Sequence, residues 1–151
     1  MGNMTAVILA AGMGVRMGPR GTITPKGLIT LGGASLVAQS VASLRDWGAG
    51  RIVIITGHLA EHYSAAFAGT DVELVHNPDY ATTGSLLSLA TALKHVDGPC
   101  VILESDVIYA PQALEKVDGS ANQFIVSGPT GAGDEGGGAG RPAGQRRSSQ
   151  L

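Results

Sequence analysis

The chain has 151 residues, 44% of them hydrophobic and 15% charged, enough to enclose one modest core and too few for two ordinary domains. Ten Lys plus Arg against twelve Asp plus Glu leave a net charge of −2, which argues against a nucleic-acid partner, because polyanion-binding modules carry a basic excess. A single cysteine, Cys100, excludes an internal disulfide framework and a multi-thiolate zinc site and suits a reducing, cytoplasmic setting. The apolar run over residues 6–11 is far below the roughly 18 residues that cross a bilayer, and no leader or myristoylation pattern precedes it, so no membrane partner is expected.

In chain order, short Val/Ile/Leu-rich runs alternate with amphipathic ones. Residues 5–11 predict a buried strand. Ser35 suits the N-cap of a helix whose Val37, Val41 and Leu44 share a face and which Gly48 stops. A second strand over 51–57 precedes a helix that starts near His58 and His62, and a third follows over 72–76. Residues 85–95 predict a helix with Leu86, Leu89, Ala90 and Leu93 on one face. A strand over 99–104, a helix from Pro111 to about Val117 and a last strand over 122–127 complete the pattern. The order β-α-β-α-β-α-β-α-β implies an α/β domain over residues 1–127 with a mainly parallel sheet layered by helices. From Gly128 onward only Ala132, Ala139, Ala143 and Leu151 are hydrophobic, and the last 24 residues hold eight of the 23 glycines. Such a composition predicts a disordered tail over 128–151.

Ligands of open α/β sheets sit beyond the carboxyl ends of the strands. After the first strand comes Leu9-Ala10-Ala11-Gly12-Met13-Gly14-Val15-Arg16-Met17, with Pro25-Lys26 downstream. Glycines let successive amides turn inward as an anion nest, and Arg16 and Lys26 add charge suited to phosphate. Read locally, the segment could equally be a turn carrying solvated charges. It is no Walker loop, since no Gly-Lys-Ser/Thr closes it, and no dinucleotide fingerprint, since Met17 stands where the third glycine belongs.

At the end of the strand over 99–104, Glu104 and Asp106 are spaced i and i+2, which in extended backbone projects both carboxylates to one side, where they could share a hard cation. A solvated strand end, or Asp106 as cap of the helix at Pro111, is the alternative. The segment Asn77-Pro78-Asp79-Tyr80-Ala81-Thr82-Thr83-Gly84-Ser85 brings short polar groups to a helix start, where they could recognise a base or an anion, or where Thr83 or Ser85 could simply cap.

Leu-Ala-Ala-Gly-x-Gly-x-Arg-Met with a later Pro-Lys resembles the signature of the nucleotidyltransferase family that includes sugar-1-phosphate, molybdenum-cofactor and alcohol-phosphate nucleotidyltransferases. The resemblance implies a Rossmann-like three-layer sandwich of the GT-A type. It also implies that Gly12, Gly14, Arg16 and Lys26 hold the β- and γ-phosphates of an NTP, Lys26 near the α-phosphate as well. Mg²⁺ is the implied cofactor, with Asp106 as its ligand and Glu104 as a second ligand or an orienting group.

Asn77-Pro-x-Tyr80-x-x-Thr83-Gly84-Ser85 and Leu103-Glu104-Ser105-Asp106-x-Ile108-Tyr109 are similar to the branch that cytidylylates phosphonates and phosphocholine, 2-aminoethylphosphonate cytidylyltransferases among them. In that branch Thr83, Gly84 and Ser85 line a cytosine pocket with the backbone around Ala10 and Ala11. The Ser-Gly-x-Thr-Gly-x-Gly-Asp-Glu of residues 127–135 matches the same branch. The implied partners are CTP and a small phosphonate or alcohol-phosphate acceptor. A sugar-1-phosphate nucleotidyltransferase using another NTP and a non-catalytic nucleotide-binding fragment are the alternatives.

Members of that branch continue with a further strand, acceptor-binding elements and a second acidic metal ligand. Residues 136–151 are instead rich in Gly, Ala, Arg, Pro and Ser, as an out-of-frame reading of a G+C-rich gene would be. The expectation is a frameshift or early stop just after Glu135, leaving a sheet edge uncovered; an oligomer is compatible with this. His58 and His62 are in the order His-x-x-Glu-His, not that of a zincin, and are expected at the surface. Trp47, Tyr63 and Tyr80 are too scattered for a choline cage, which favours a primary amine on the acceptor.

Overall fold

The computed structural model describes residues 4–82, 84–119 and 121–125; Thr83, the segment 127–135 and the tail 128–151 lie outside them. The chain runs through β1 (Thr5–Ala10), two 3₁₀ segments (Val15–Thr22 and Lys26–Leu28), a hairpin of β2 (Thr30–Leu31) and β3 (Ala34–Ser35), and helix α1 (Leu36–Trp47). It continues through β4 (Arg51–Thr56), α2 (Ala60–Ala66), β5 (Glu73–His76), α3 (Ser85–Leu93), β6 (Cys100–Glu104) and α4 (Pro111–Leu114).

β1 is apolar at nearly every position because both its faces and both its edges are covered. It pairs in parallel with β4 on one side and β6 on the other, and β5 joins β4, giving the order β5-β4-β1-β6. Alternate residues of β1 divide the core. Ala6, Ile8 and Ala10 pack with Val37, Val41 and Leu44 of α1, Tyr63 of α2 and Leu114 of α4. Val7, Leu9 and Ala11 pack with Ala92 of α3, Val96 and half-buried Leu89. The result is the expected α/β sandwich of three layers.

α1 begins and ends as its sequence predicts. The Ser35 hydroxyl accepts from the Ala38 amide at 3.2 Å, and Gly48 closes the helix in the left-handed region at φ 93°. Each fully buried Val or Leu on its inner face contributes about 1.5–3 kcal/mol.

Two expectations are corrected. α3 does not bury the face carrying Leu86 and Leu93, which are 79% and 52% exposed; Ser88 and Ala92 are the buried pair. Small residues let this helix lie close on β1 and β4, so its larger leucines turn toward open surface. Residues 122–125 form no strand, and Phe124 is 91% exposed. An apolar run becomes a strand only when a neighbour supplies its hydrogen bonds, and no strand neighbours it among the described residues. Between β1 and α1 the chain adds two 3₁₀ segments and the β2–β3 hairpin, whose Gly32-Gly33 corner is the usual signal for such a turn.

Candidate functional site

β4 and β6 leave β1 on opposite sides, so the sheet reverses its winding there and a crevice opens at the strand ends. A cleft of about 360 Å³ occupies that position, within the range of small-ligand sites. Ala10, Ala11, Gly12, Gly14 and Arg16 line it from the loop after β1, Lys26 from the second 3₁₀ segment, Gly84 and Ser85 from the start of α3, and Glu104 and Asp106 from the end of β6. Every site residue expected from the sequence is thus gathered here except Thr83, which lies outside the described residues.

The loop after β1 reverses at Gly14, whose φ of 62° and ψ of 27° a side chain would oppose, and the Met17 amide donates to the Gly14 carbonyl at 2.8 Å. Arg16 stands exposed on the first turn that follows. Lys26 Nζ lies 3.1 Å from Asp106 Oδ2, although eighty residues separate them, and the two side chains keep 28% and 40% of their surface accessible. A cation and an anion that can still be reached by solvent are a pair that an incoming polyanion and its metal could exchange.

The two carboxylates differ from their sequence reading in one respect. Glu104 ends β6, whereas Asp106 sits in a turn, so the extended spacing argument does not describe them. Burial, and then the charge of Asp106, push the Glu104 carboxyl above the usual carboxylate range. The Glu104 amide donates to Tyr109 Oη at 2.8 Å, which fixes the strand end. Asp106 does not cap the last helix; Ala110 does. Likewise the cap of α3 is Gly84, with no side-chain bond, so Ser85 is the first helical residue rather than its cap. The start of α3, whose Gly84 and Ser85 line the cleft, therefore has no side-chain cap.

Among the described residues no group of three or more His, Cys, Asp or Glu could hold a metal. Glu104 and Asp106 both line the cleft, and a set this small is compatible with Mg²⁺, which commonly takes one or two carboxylates and completes its octahedron with water and phosphate oxygens.

Several contributors escape a reading of the sequence. Tyr63, Tyr80, Ser88 and Ser105 line the cleft. Buried Asn77 donates to Ser88 Oγ at 3.2 Å, holding the base of α3. His58 is no simple surface histidine: its Nε2 is 2.8 Å from the Gly21 carbonyl, which can only accept, so Nε2 carries the proton and ties the loop after β1 to the end of β4. These links join segments remote in the chain, and no local pattern announces them. Cys100 packs half-buried against the second core cluster, with its thiol pushed up by burial. No helix among the described residues is long and apolar enough to cross a membrane.

Known proteins are similar to this chain in sequence and fold. The model of the MobA-like NTP transferase domain matches residues 6–126. The CMP-5'-(3-aminopropyl)phosphonate synthase of Streptomyces rubellomurinus is 34% identical over 126 residues, covering 81% of this chain and 20% of that protein. Among solved structures, the CTP:phosphocholine cytidylyltransferase of Streptococcus pneumoniae superposes with a TM-score of 0.63 at 30% identity, covering 69% of this chain and 45% of that one. A nucleotidyl transferase from Methanothermobacter thermautotroptrophicus reaches 0.67 at 25% identity, over 82% of this chain and 60% of that one. The chain therefore spans between a fifth and three fifths of the length of these relatives.

Proposed function

The chain belongs to the MobA-like NTP transferase family, and from that premise we propose that it forms the nucleotide-binding part of a cytidylyltransferase that passes CMP from CTP to a phosphonate or alcohol phosphate. The observation that carries this reading is the Lys26–Asp106 pair, 3.1 Å apart in the cleft that the loop after β1 also lines. The phosphonate and phosphocholine relatives support CTP as the donor and a small amine-bearing phosphonate or phosphate as the acceptor.

In this reading the amides around Gly12 and Gly14 cradle the terminal phosphates, and Arg16 and Lys26 neutralise the charge that gathers on the departing pyrophosphate. Ala10, Ala11, Gly84 and Ser85 form the wall for the base, with Thr83 expected beside them. Asp106 and Glu104 would hold Mg²⁺, which supplies charge neutralisation and polarisation of the α-phosphate when bound. An acceptor oxygen bonds to the α-phosphorus as the bond to the β-phosphate oxygen breaks, releasing pyrophosphate. Since the acceptor is already anionic at neutral pH, no general base is required, and positioning supplies the rate.

Pyrophosphate release, measured with each of the four NTPs against aminoalkylphosphonates, phosphocholine and sugar 1-phosphates, tests the reading, together with calorimetric titration by CTP and Mg²⁺. Binding and turnover that favour CTP and a phosphonate or alcohol phosphate are expected. Preference for another NTP with a sugar 1-phosphate overturns the acceptor and donor classes. Binding of CTP without turnover points to a nucleotide-binding fragment, and no binding at all overturns the site.

A further inference from the structure

The loop after β1 leaves the strand at Ala11 and turns through Gly12, Gly14 and Arg16, which line the cleft, before it reaches Gly21. Both of its ends meet one residue, His58, just beyond β4. The His58 backbone amide donates to the Ala11 carbonyl at 3.3 Å, and its ring Nε2–H donates to the Gly21 carbonyl at 2.8 Å. Inside the loop the bonds are local: the Met17 amide donates to Gly14, the Thr22 hydroxyl to Pro19, and the Ile23 and Thr24 amides to Arg20. Among the described residues, the imidazole of His58 is thus the group that ties residues 12–24 by hydrogen bond to another element.

We infer that His58 is a positioning residue that staples the mouth of this loop, so that the turn at Gly14 already has its anion-receiving shape before a phosphate arrives. The inference rests on the nucleotide reading for its purpose, though not for its geometry.

Gly21 transmits the hold. A Cβ placed on it would lie 2.5 Å from the Gly14 carbonyl oxygen and 3.2 Å from the carbonyl carbon, so the residue that His58 grips sits directly against the reversal at Gly14. The reversal itself has φ 62°, and at Gly18 the chain leaves helical geometry again with φ 59° and ψ −140°. Glycine is what permits both turns, and it is also the residue with the most backbone freedom to lose. An outside contact at the far end removes that freedom in advance of binding, which is where a preorganised site gains its affinity. The ring that makes the contact is itself confined. Its centroid stands 6.3 Å from that of Tyr80, which lines the same cleft and packs so closely on Gly57 that a Cβ there would lie 2.5 Å from Tyr80 Cβ.

Three variants of the full chain test this. His58→Gln keeps an N–H donor near the place of Nε2, His58→Asn is too short to reach Gly21, and His58→Leu has no donor; all three keep the backbone amide. In the first arm, with no nucleotide present, hydrogen exchange of the Met17 amide is followed by NMR against the amides of Val41 in α1 and Ile54 in β4. His58→Asn and His58→Leu should each speed Met17 relative to the other two by about two- to tenfold, the range one net hydrogen bond spans, while His58→Gln stays within about twofold of the unmodified chain. A Met17 rate that is unchanged overturns the proposal. So does an equal rise at all three amides, which would report a loosened fold, or a His58→Gln rate as fast as that of His58→Asn, which would mean that the donor is not what holds the loop. In the second arm, calorimetry with inorganic tripolyphosphate and with CTP, each with Mg²⁺, should show the same about two- to tenfold weakening in His58→Asn and His58→Leu and recovery in His58→Gln. Binding equal in all four proteins overturns the positioning role. Should the unmodified chain bind neither ligand, the nucleotide reading falls, while the exchange rates still decide whether His58 holds the loop.

Discussion

Replacing Asp106 with Asn separates what its carboxylate does for the fold from what it does for a ligand. At 3.1 Å the bare attraction to Lys26 is about 1.3 kcal/mol at the dielectric of water and about 5 kcal/mol at an effective value near 20. Side chains 28% and 40% exposed lie toward the aqueous limit, where measured pairs are worth about 0.2–1 kcal/mol. The variant should thus lose no more than about 1 kcal/mol of stability, a melting shift of roughly 2–4 °C. Binding should change by more. The substituted amide cannot replace a carboxylate toward Mg²⁺, so affinity for CTP with Mg²⁺ should fall by at least about tenfold. Freed from its partner, Lys26 should hold metal-free CTP no less tightly than before. Calorimetric titrations in Mg²⁺ and in EDTA, beside thermal melting, read both effects, and the two Kd values should converge in the variant. If their ratio stays as in the unmodified chain, Asp106 is not the metal ligand; a melting loss above about 10 °C would make its role structural.

Gly27→Ala should destabilise by about 1–3 kcal/mol, because the added methyl has Val37, Tyr63 and Ser105 within 2.5–3.0 Å; an unchanged denaturation midpoint would contradict the tight node. β6 has no strand on its outer side among the described residues, and Ile102 on it is 42% exposed, so the protein should associate as its concentration rises. Ile102→Lys should suppress that association in sedimentation velocity, and an unaltered distribution would place the contact elsewhere. Tyr63 holds its proton more tightly folded, at about 12, than the ordinary phenol value of 10.0. Its contribution is therefore complete below about pH 10 and is lost as pH rises through 12, amounting to about 2–3 kcal/mol. Denaturation midpoints between pH 9 and 12 should fall more steeply for the native chain than for Tyr63→Phe, and parallel slopes would refute the assignment.

Much of the site was legible because its chemistry lies in contiguous segments. The glycines and Arg16 follow the end of β1 and the acids follow Leu103 at the end of β6, and a parallel sheet gathers strand ends on one side, where Lys26 joins them from the second 3₁₀ segment. The same logic explains the misreadings. Leu86 and Leu93 fit a helical apolar face, but a stripe does not say which of its flanks meets the sheet, and the small Ser88 and Ala92 fit there more closely. Residues 122–125 have strand composition but, among the described residues, no strand neighbour to pair with. His58 reads as a surface residue because its partner, Gly21, lies far away in the chain.

The order of strands and helices, the caps of α1 and the residues able to meet a triphosphate follow from the chain alone, since local spacing and backbone preference specify them. Which carboxylate faces Lys26 and how far apart the two stand are decided by tertiary packing. Lys26 and Asp106 are eighty residues apart in the chain, so the distance between them is set by how their segments pack on the sheet, a contact with no counterpart in any local run of sequence.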